Sequence, residues 1–352
     1  MPRSGAQRPG VRRPGTRSQR ARGWQVWAMV LVAALLTVGS ARAAPASVTE
    51  HAAAVTATGP GGSTLFGNVK YCPGIDPTGA SDVMDIYTPA GAVAGDHFPV
   101  FVFVHGGGWE TGNNLNAGAK LGADGYSLEV ATALLATKGW VVASVDYRLA
   151  DHSTNPPGQQ FPDQIIDVKC ALRFLRANAG TYDVDGSHII AMGSSAGGHL
   201  VSLAGTAPPS AGFECQSGDT TDWCGQSSAV QAVVDEWGVS DFTDSTWGLH
   251  ASQVIQQVFG HAPGVDNPVL ERASPVSYIA TGDPPFLIIQ GDEDPLNTPT
   301  QAPELAQRLT LAGVPNTIYM VHHAAHGVLE PGEQPGITQL VQIVTSFVES
   351  EG

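Results

Sequence analysis

Residues 187–197 have the sequence Ser-His-Ile-Ile-Ala-Met-Gly-Ser-Ser-Ala-Gly. The run Ser187–Met192 predicts a short buried strand, and the sequence from Ala196 onward predicts the start of a helix. Between them lies a Gly-x-Ser-x-Gly motif centred on Ser195, on a tight turn whose strained backbone exposes the serine hydroxyl. The two flanking glycines are needed because side chains there would collide with the neighbouring strand and helix. This stretch therefore predicts a strand–turn–helix unit that presents a nucleophilic serine.

A second glycine-rich motif, His105-Gly106-Gly107-Gly108-Trp109, follows the apolar strand pattern Phe98–Val104. A run of glycines there leaves backbone N–H groups free to point toward an oxyanion. Each motif alone is weak evidence, because a chain with 42 glycines has many Gly-rich turns. Both motifs follow strands in the order that a serine mechanism needs, and together they indicate acyl transfer.

A serine nucleophile needs a histidine base, which in turn needs a carboxylate to orient it. The strand pattern Pro285–Gln290 runs into a glycine turn that carries three acids, Asp292, Glu293 and Asp294. Asp294 lies three residues past the turn glycine, where the loop can lean back over the strand ends. We therefore predict Asp294 as the acid and the other two as solvated turn residues.

The candidates for the histidine base follow the next strand pattern, Thr317–Val321. Three histidines follow it, at positions 322, 323 and 326. His326 is surrounded by small residues that would let its ring approach Ser195. His322 and His323 lie nearer the strand and are better explained as structural or surface groups. We predict His326 as the base.

At this point the sequence resembles the esterase/lipase branch of the α/β-hydrolases, over about residues 65 to 350. Within that branch it is most similar to the acetylxylan/feruloyl esterase-like (BD-FAE-like) group, which neighbours the hormone-sensitive-lipase-type carboxylesterases. The matching segments are residues 161–200, 145–149, 230–235, 273–276, 283–292 and 312–315. The resemblance implies an α/β-hydrolase fold with a mainly parallel central sheet and helices on both faces. It also implies hydrolysis of carboxylic esters by Ser195, Asp294 and His326.

The same resemblance implies an oxyanion hole built from the N–H groups of Gly106, Gly107 and Ala196. One departure is Gln290, where the group more often has histidine; we expect this change to tune the strand end rather than the chemistry. Two residues after the glycine run, Trp109 and Glu110, either line the substrate pocket or serve as a packing aromatic and a surface acid. No cofactor and no metal are expected.

Length and strand order agree with a single catalytic domain over residues 63–352. Strand patterns alternate with helical ones, as for residues 127–138 between two strands, which favours a parallel sheet covered on both faces. Residues 240–282 contain short helical patches within a polar stretch. They form either a small insertion over the active site or an ordinary connection between strands.

Residues 1–43 have the pattern of a cleaved secretory signal. Eight arginines and no acidic residues lie within residues 1–42, with the apolar run Trp24–Val38 and an Ala-x-Ala pattern ending at Ala43. The run is shorter than the roughly 20 residues that a membrane span needs, so we expect export without a lasting membrane anchor. Residues 44–62 are rich in Ala, Thr, Ser, Gly and Pro, which predicts a flexible lead-in.

Removing residues 1–43 leaves nine of the 17 basic residues against 32 acids, a net charge of −23. This charge argues against nucleic acids and anionic membranes as partners. It is compatible with a neutral polymer or a small ester. An acidic polysaccharide would be disfavoured.

Four cysteines in an exported chain predict two disulfides. Cys215 and Cys224 are close in sequence, and we pair them as a staple for a loop at the rim of the site. Cys72 and Cys170 are paired by elimination. His199, four residues after Ser195, is expected to pack beneath the serine turn and not to act as the base.

Two other functions remain open. A serine peptidase or amidase would use the same residues on the same fold. A non-catalytic binding protein on this fold is less favoured, because such proteins usually lack one of the three catalytic residues. Among esters, acetyl or feruloyl groups on plant polysaccharides, short-chain alkyl esters and synthetic polyesters remain open, and secretion and the family resemblance favour the first two.

Overall fold

A nine-stranded sheet crosses the molecule in the order β1-β2-β3-β5-β4-β6-β7-β8-β9. The computed structural model describes residues 55–72, 82–112, 126–151, 160–215, 223–327 and 331–351. Within them the strands are β1 Val55–Thr58, β2 Thr64–Lys70, β3 Val83–Thr88, β4 Phe98–Val104, β5 Val141–Val145, β6 Val184–Ser194, β7 Ala232–Glu236, β8 Phe286–Gly291 and β9 Asn316–Val321. The helices are α1 Ser127–Ala133, α2 Asp163–Ala177, α3 Ala196–Thr206, α4 Leu249–Phe259, α5 Pro268–Ala273, α6 Gln301–Ala312 and α7 Ile337–Glu351.

The sheet is antiparallel at one edge and parallel elsewhere. β1, β2, β3 and β5 pair antiparallel in that order, whereas the six strands β5-β4-β6-β7-β8-β9 are all parallel to one another. Parallel strands need crossover connections, which here are largely helical. The predicted α/β fold with a mainly parallel sheet is confirmed.

Side chains of the central strand β4 alternate between the two faces of the sheet. Val100, Val102 and Val104 belong to one buried cluster, which also holds Ile165 of α2 and Leu200 of α3. Phe101 and Phe103 belong to the other cluster, together with Val130 of α1 and Leu340 of α7. Because both faces are covered, β4 is apolar along nearly its whole length, as buried parallel strands usually are.

Chain ends and connections differ in part from the sequence-based expectations. The predicted signal, residues 1–43, lies outside the described residues. The flexible lead-in predicted for residues 44–62 is corrected at its end, because Val55–Thr58 pair with β2 as an edge strand. Its threonines and valine suit an extended edge strand as well as a linker. Within the described part of the chain, no helix combines the length and hydropathy required to cross a bilayer.

Both predicted disulfides are present, Cys72–Cys170 and Cys215–Cys224. Cys215 and Cys224 line a groove with Val230 and Pro285, the residues that lead into β7 and β8. This groove is at the amino ends of the parallel strands, so the predicted place of this staple at the rim of the serine site is wrong. The reason is α3, whose 11 residues carry the chain about 16 Å away from Ser195 before the loop begins.

Candidate active site

Ser195 lies in the turn between β6 and α3, at the carboxyl end of the parallel sheet. Its φ and ψ angles are 55° and −115°, a conformation that non-glycine residues rarely adopt. The turn is held by the Ser195 N–H, which donates to the carbonyl oxygen of Glu236 at 2.7 Å. Strain of this kind is maintained only where the surrounding structure fixes it.

The two glycines of the motif are required by close packing. A Cβ atom on Gly193 would lie 2.4 Å from the carbonyl carbon of Gly197, and one on Gly197 would lie 2.0 Å from the carbonyl oxygen of Val104. No larger residue fits at either position without moving backbone. The collision inferred from the sequence is therefore observed.

Ser195, His326 and Asp294 are brought together by three different loops. The Ser195 Oγ lies 2.7 Å from Nε2 of His326, and Nδ1 of His326 lies 2.7 Å from Oδ2 of Asp294. Serine and histidine are 131 residues apart in sequence, histidine and aspartate 32. These distances allow the histidine to accept the serine proton while the carboxylate holds the opposite ring nitrogen.

Asp294 is a fully buried carboxylate whose oxygens are all used. Oδ1 accepts the backbone N–H groups of Leu296 at 2.8 Å and Asn297 at 2.9 Å. Oδ2 accepts the side-chain amide of Gln290 at 2.9 Å in addition to His326. Buried charge is tolerated when it is hydrogen-bonded in this way. The acid is therefore fixed in one orientation toward the histidine.

The competing acids and histidines pair with each other at the surface. Asp292 contacts Nδ1 of His322 at 2.9 Å and accepts the His323 backbone N–H at 2.7 Å. Glu293 contacts Nδ1 of His323 at 3.0 Å. Hydrogen bonding to His322 lowers the pKa of Asp292, and Glu293 raises the pKa of His323. Neither pair reaches Ser195, so the structure places these residues as the sequence analysis expected.

The glycine-rich loop forms one side of the cavity at Ser195. Gly107 has φ +104°, and a Cβ atom there would lie 2.1 Å from the carbonyl oxygen of Thr111, so only glycine fits. Gly107 and Gly108 line the cavity. Gly106 and Ala196 are buried behind that surface. Gly108 was not among the predicted oxyanion-hole residues, although the Gly-Gly-Gly run contained it.

The cavity has a volume of about 420 Å³. Its walls include the predicted pocket residues Trp109 and Glu110. Sequence reasoning missed the opposite wall, which consists of residues 239, 247, 250, 251, 254, 255, 296 and 297. Most of that wall is α4 and its approach, within residues 240–282. The segment is thus the connection between β7 and β8, and its helix also bounds the site.

Trp109 has a structural role as well as a place in the cavity wall. Its ring is buried and packs edge-on against His199, with centroids 5.4 Å apart. The Trp109 Nε1–H donates to Nδ1 of His199 at 3.1 Å, and His199 Nε2 bonds the carbonyl oxygen of Ala273 at 2.8 Å. Burial lowers the pKa of His199 to about 4. His199 is therefore a neutral residue that packs beneath the serine turn.

Known proteins resemble this chain both in sequence and in fold. The sequence model of the BD-FAE family matches residues 84–309, which include Ser195 and Asp294. The chain belongs to the BD-FAE family.

Curated relatives of this BD-FAE chain include two esterases of Mycobacterium tuberculosis. LipC is 31% identical over 237 residues, covering 65% of this chain and 53% of LipC. LipQ is 30% identical over 288 residues, covering 80% of this chain and 61% of LipQ. The chain thus spans about half to three-fifths of the length of these relatives.

Among solved structures, a truncated carbohydrate esterase from gut microbiota is similar to this BD-FAE chain. Its TM-score is 0.63 at 28% sequence identity, and the match covers 82% of this chain and 96% of that one.

No cluster of three or more His, Cys, Asp or Glu side chains suited to a metal ion occurs in the described ranges.

Proposed function

We propose that this chain is a secreted serine hydrolase that acts through an acyl-enzyme on short-chain carboxylic esters or on acetyl and feruloyl esters of polysaccharides. The observation that carries the proposal is the Ser195–His326–Asp294 arrangement, with both hydrogen bonds at 2.7 Å and with Ser195 and His326 lining a cavity. Membership of the BD-FAE family and the esterase relatives support ester bonds as the target.

The proposed reaction has two steps. His326 takes the proton of Ser195 as Oγ attacks the ester carbonyl carbon, and Asp294 stabilises the imidazolium that forms. The oxyanion is stabilised by the N–H groups of Gly106, Gly107 and Ala196, with Gly108 as a further candidate donor. His326 then protonates the leaving alcohol, and an acyl group remains on Ser195. Water, activated by His326, releases the acid by the same route.

The size of the cavity supports a short acyl group. A volume of about 420 Å³ is at the lower end of the range for small-molecule sites, and the wall formed by Trp247, Ile255 and Leu296 is apolar. The similar protein from gut microbiota is a carbohydrate esterase, which supports a sugar as the alcohol part of the substrate.

Secretion is supported by the arginine-rich N-terminal segment and by the two disulfides, which persist in oxidising compartments. Residues 63–352, together with the edge strand Val55–Thr58, are proposed as the catalytic domain.

The decisive experiment is a hydrolysis panel on the purified protein without residues 1–43, with Ser195→Ala as the control. The panel contains p-nitrophenyl esters from acetate to palmitate, acetylated xylan, methyl ferulate and matched amides. We expect the wild type to hydrolyse acetate and butyrate esters and the variant to lose this activity while unfolding at the same temperature. Cleavage of acetylated xylan or ferulate identifies the polysaccharide-linked substrate.

Equal ester hydrolysis by Ser195→Ala would overturn the proposal. Faster cleavage of the amides would favour a peptidase or amidase. Silence across the panel, with no labelling of Ser195 by a serine-directed phosphonate, would favour a binding protein.

A further inference from the structure

Gln290 contacts the acid of the site directly. Its side chain is buried at the carboxyl end of β8, and its Nε2 donates to Oδ2 of Asp294 at 2.9 Å. The same oxygen lies 2.7 Å from Nδ1 of His326. The expectation from the sequence is that Gln290 tunes the strand end rather than the chemistry. The structure places its amide on the oxygen that faces the histidine.

The orientation of the Gln290 amide is set by the Asn297 side chain and by the backbone carbonyl oxygens of Gly291 and Asn297, which each lie 3.3 Å from the Gln290 Nε2. The Asn297 Nδ2 donates to Oε1 of Gln290 at 3.1 Å, and also to the carbonyl oxygens of Trp237 at 3.1 Å and Gly238 at 2.8 Å. The backbone carbonyl oxygens of Trp237 and Gly238 can only accept hydrogen bonds, so they fix the position of Nδ2 in the Asn297 amide. This Nδ2 also faces the Gln290 side chain and needs an acceptor there. Oε1 of Gln290 is therefore turned toward Asn297, and its N–H group toward Asp294.

The turn after β7 connects this amide pair to the other two loops. The carbonyl oxygen of Glu236 accepts the Ser195 N–H at 2.7 Å. Trp237 Nε1 donates to the carbonyl oxygen of Ala325, the residue before His326, at 3.1 Å. A displacement of Asn297 would therefore disturb Asp294 directly. It would also disturb the turn after β7, which contacts the loops of Ser195 and His326.

We propose that Gln290 and Asn297 act as a pair of positioning residues that orient Asp294 and limit how strongly it holds the proton on His326. The proposal rests on the function proposed above. A hydrogen-bond donor on Oδ2 draws charge from the oxygen that would otherwise interact with the imidazolium alone.

Replacing Gln290 by leucine removes the donor at similar volume. The charge on Oδ2 then acts on His326 alone, which favours the protonated histidine in the variant. We therefore expect the acid limb of the kcat/KM pH profile to move to higher pH. We expect a shift of about half a pH unit to one pH unit, and a loss of about tenfold in kcat at the optimum from poorer orientation of the acid.

Gln290→His tests the same point by rescue, because an imidazole can restore a donor to Oδ2. We expect its acid limb to return toward the wild-type position. Asn297→Leu keeps the backbone N–H bond to Asp294 but removes the donor on Oε1 of Gln290, while the backbone acceptors of the Gln290 Nε2 remain. We therefore expect the acid limb to move to higher pH, as in Gln290→Leu, by a smaller amount.

Gln301→Leu is the matched control. Gln301 is equally buried, and its amide bonds the backbone of Ser240 and Asp241 at 2.8–3.1 Å without contacting the three catalytic candidates. We expect a lower unfolding temperature and an unchanged acid limb.

The experiment measures kcat/KM for p-nitrophenyl acetate between pH 4.5 and pH 9, with unfolding temperatures for every variant. An acid limb of Gln290→Leu that coincides with the wild type, or that moves equally in Gln301→Leu, would overturn the positioning role while leaving the proposed function intact. Ester hydrolysis that does not depend on Ser195 would remove the basis of both. If Gln290→Leu does not fold, Asn297→Leu decides: an acid limb that coincides with that of the wild type would overturn the proposal.

Discussion

At the scale of single residues, the acid of the site is distinguished from its neighbours by where its side chain lies. Asp294 is completely buried and bonds His326, whereas Asp292, two residues earlier, is partly exposed and bonds His322. Both pairs have nearly the same distance, 2.7 and 2.9 Å. Only the first histidine reaches Ser195, so the two aspartates should differ sharply in their effect on turnover.

Asp294→Asn should lower kcat by about 10⁴-fold, because an amide cannot stabilise the imidazolium and favours the wrong tautomer. Asp292→Asn is the matched control and should change kcat less than about twofold, since an exposed pair contributes little. Steady-state hydrolysis of p-nitrophenyl acetate measures both. If Asp292→Asn were the more damaging change, the assignment of the acid would be wrong.

His199 makes stability depend on pH in a defined direction. Burial lowers its pKa to about 4 in the folded protein, whereas an unfolded histidine titrates near 6.5. Below pH 6.5 the unfolded state binds the extra proton. The stabilisation from a neutral His199 is therefore present above pH 6.5 and is lost as the pH falls toward 4.

His199→Phe should be destabilised at pH 7, because Trp109 and Ala273 lose their partners. Its deficit should shrink by about 2 kcal/mol between pH 7 and pH 4.5, since only the wild type titrates at this position. Urea unfolding at both pH values measures the difference. His261→Gln, at an exposed position, is the control, and a deficit of His199→Phe that does not change with pH would contradict the argument.

At the scale of elements, α4 and the residues before it set the width of the cavity. Trp247 lines the cavity and stacks on Phe242, with ring centroids 6.5 Å apart and planes 18° from parallel. Phe242 is fully buried, so the indole rests on a fixed support. Trp247 therefore limits the space available to the substrate.

Trp247→Ala should widen the cavity and raise kcat/KM for the octanoate ester relative to the acetate ester by about tenfold, because each further buried CH₂ group adds to binding. Leu249→Ala changes a residue that is 79% exposed and lies outside the cavity wall, so its ratio should equal that of the wild type. A p-nitrophenyl ester series measures both ratios. An unchanged ratio in Trp247→Ala would place the acyl group elsewhere.

At the scale of the whole molecule, the sequence predicted the parts that local chemistry dictates. Apolar patterning predicted the strands Phe98–Val104 and Thr317–Val321. Turns without room for side chains predicted the glycines around Ser195, and small neighbouring residues after the last strand led to the choice of His326. The contacts of Gln290 and the wall formed by α4 could not be predicted, because they depend on how separate loops meet at the ends of the strands. The misplaced Cys215–Cys224 staple has a different origin: the loop follows α3, and the 11 residues of that helix already place its carboxyl end about 16 Å from Ser195.

The Cys215–Cys224 disulfide and the catalytic candidates lie at opposite ends of the parallel strands, so the disulfide can stabilise the fold without acting on the reaction. Ser195, His326 and Asp294 follow the carboxyl ends of β6, β9 and β8, as expected for ligand sites in open parallel sheets. Cys215 and Cys224 lie at the amino ends. Replacing both cysteines by serine should therefore lower the free energy of unfolding by about 2–3 kcal/mol, the loop-closure value for a short loop, with kcat unchanged. Urea unfolding and p-nitrophenyl acetate hydrolysis test the two halves separately, and a fall in kcat in a fully folded double variant would show that the loop acts on the site after all.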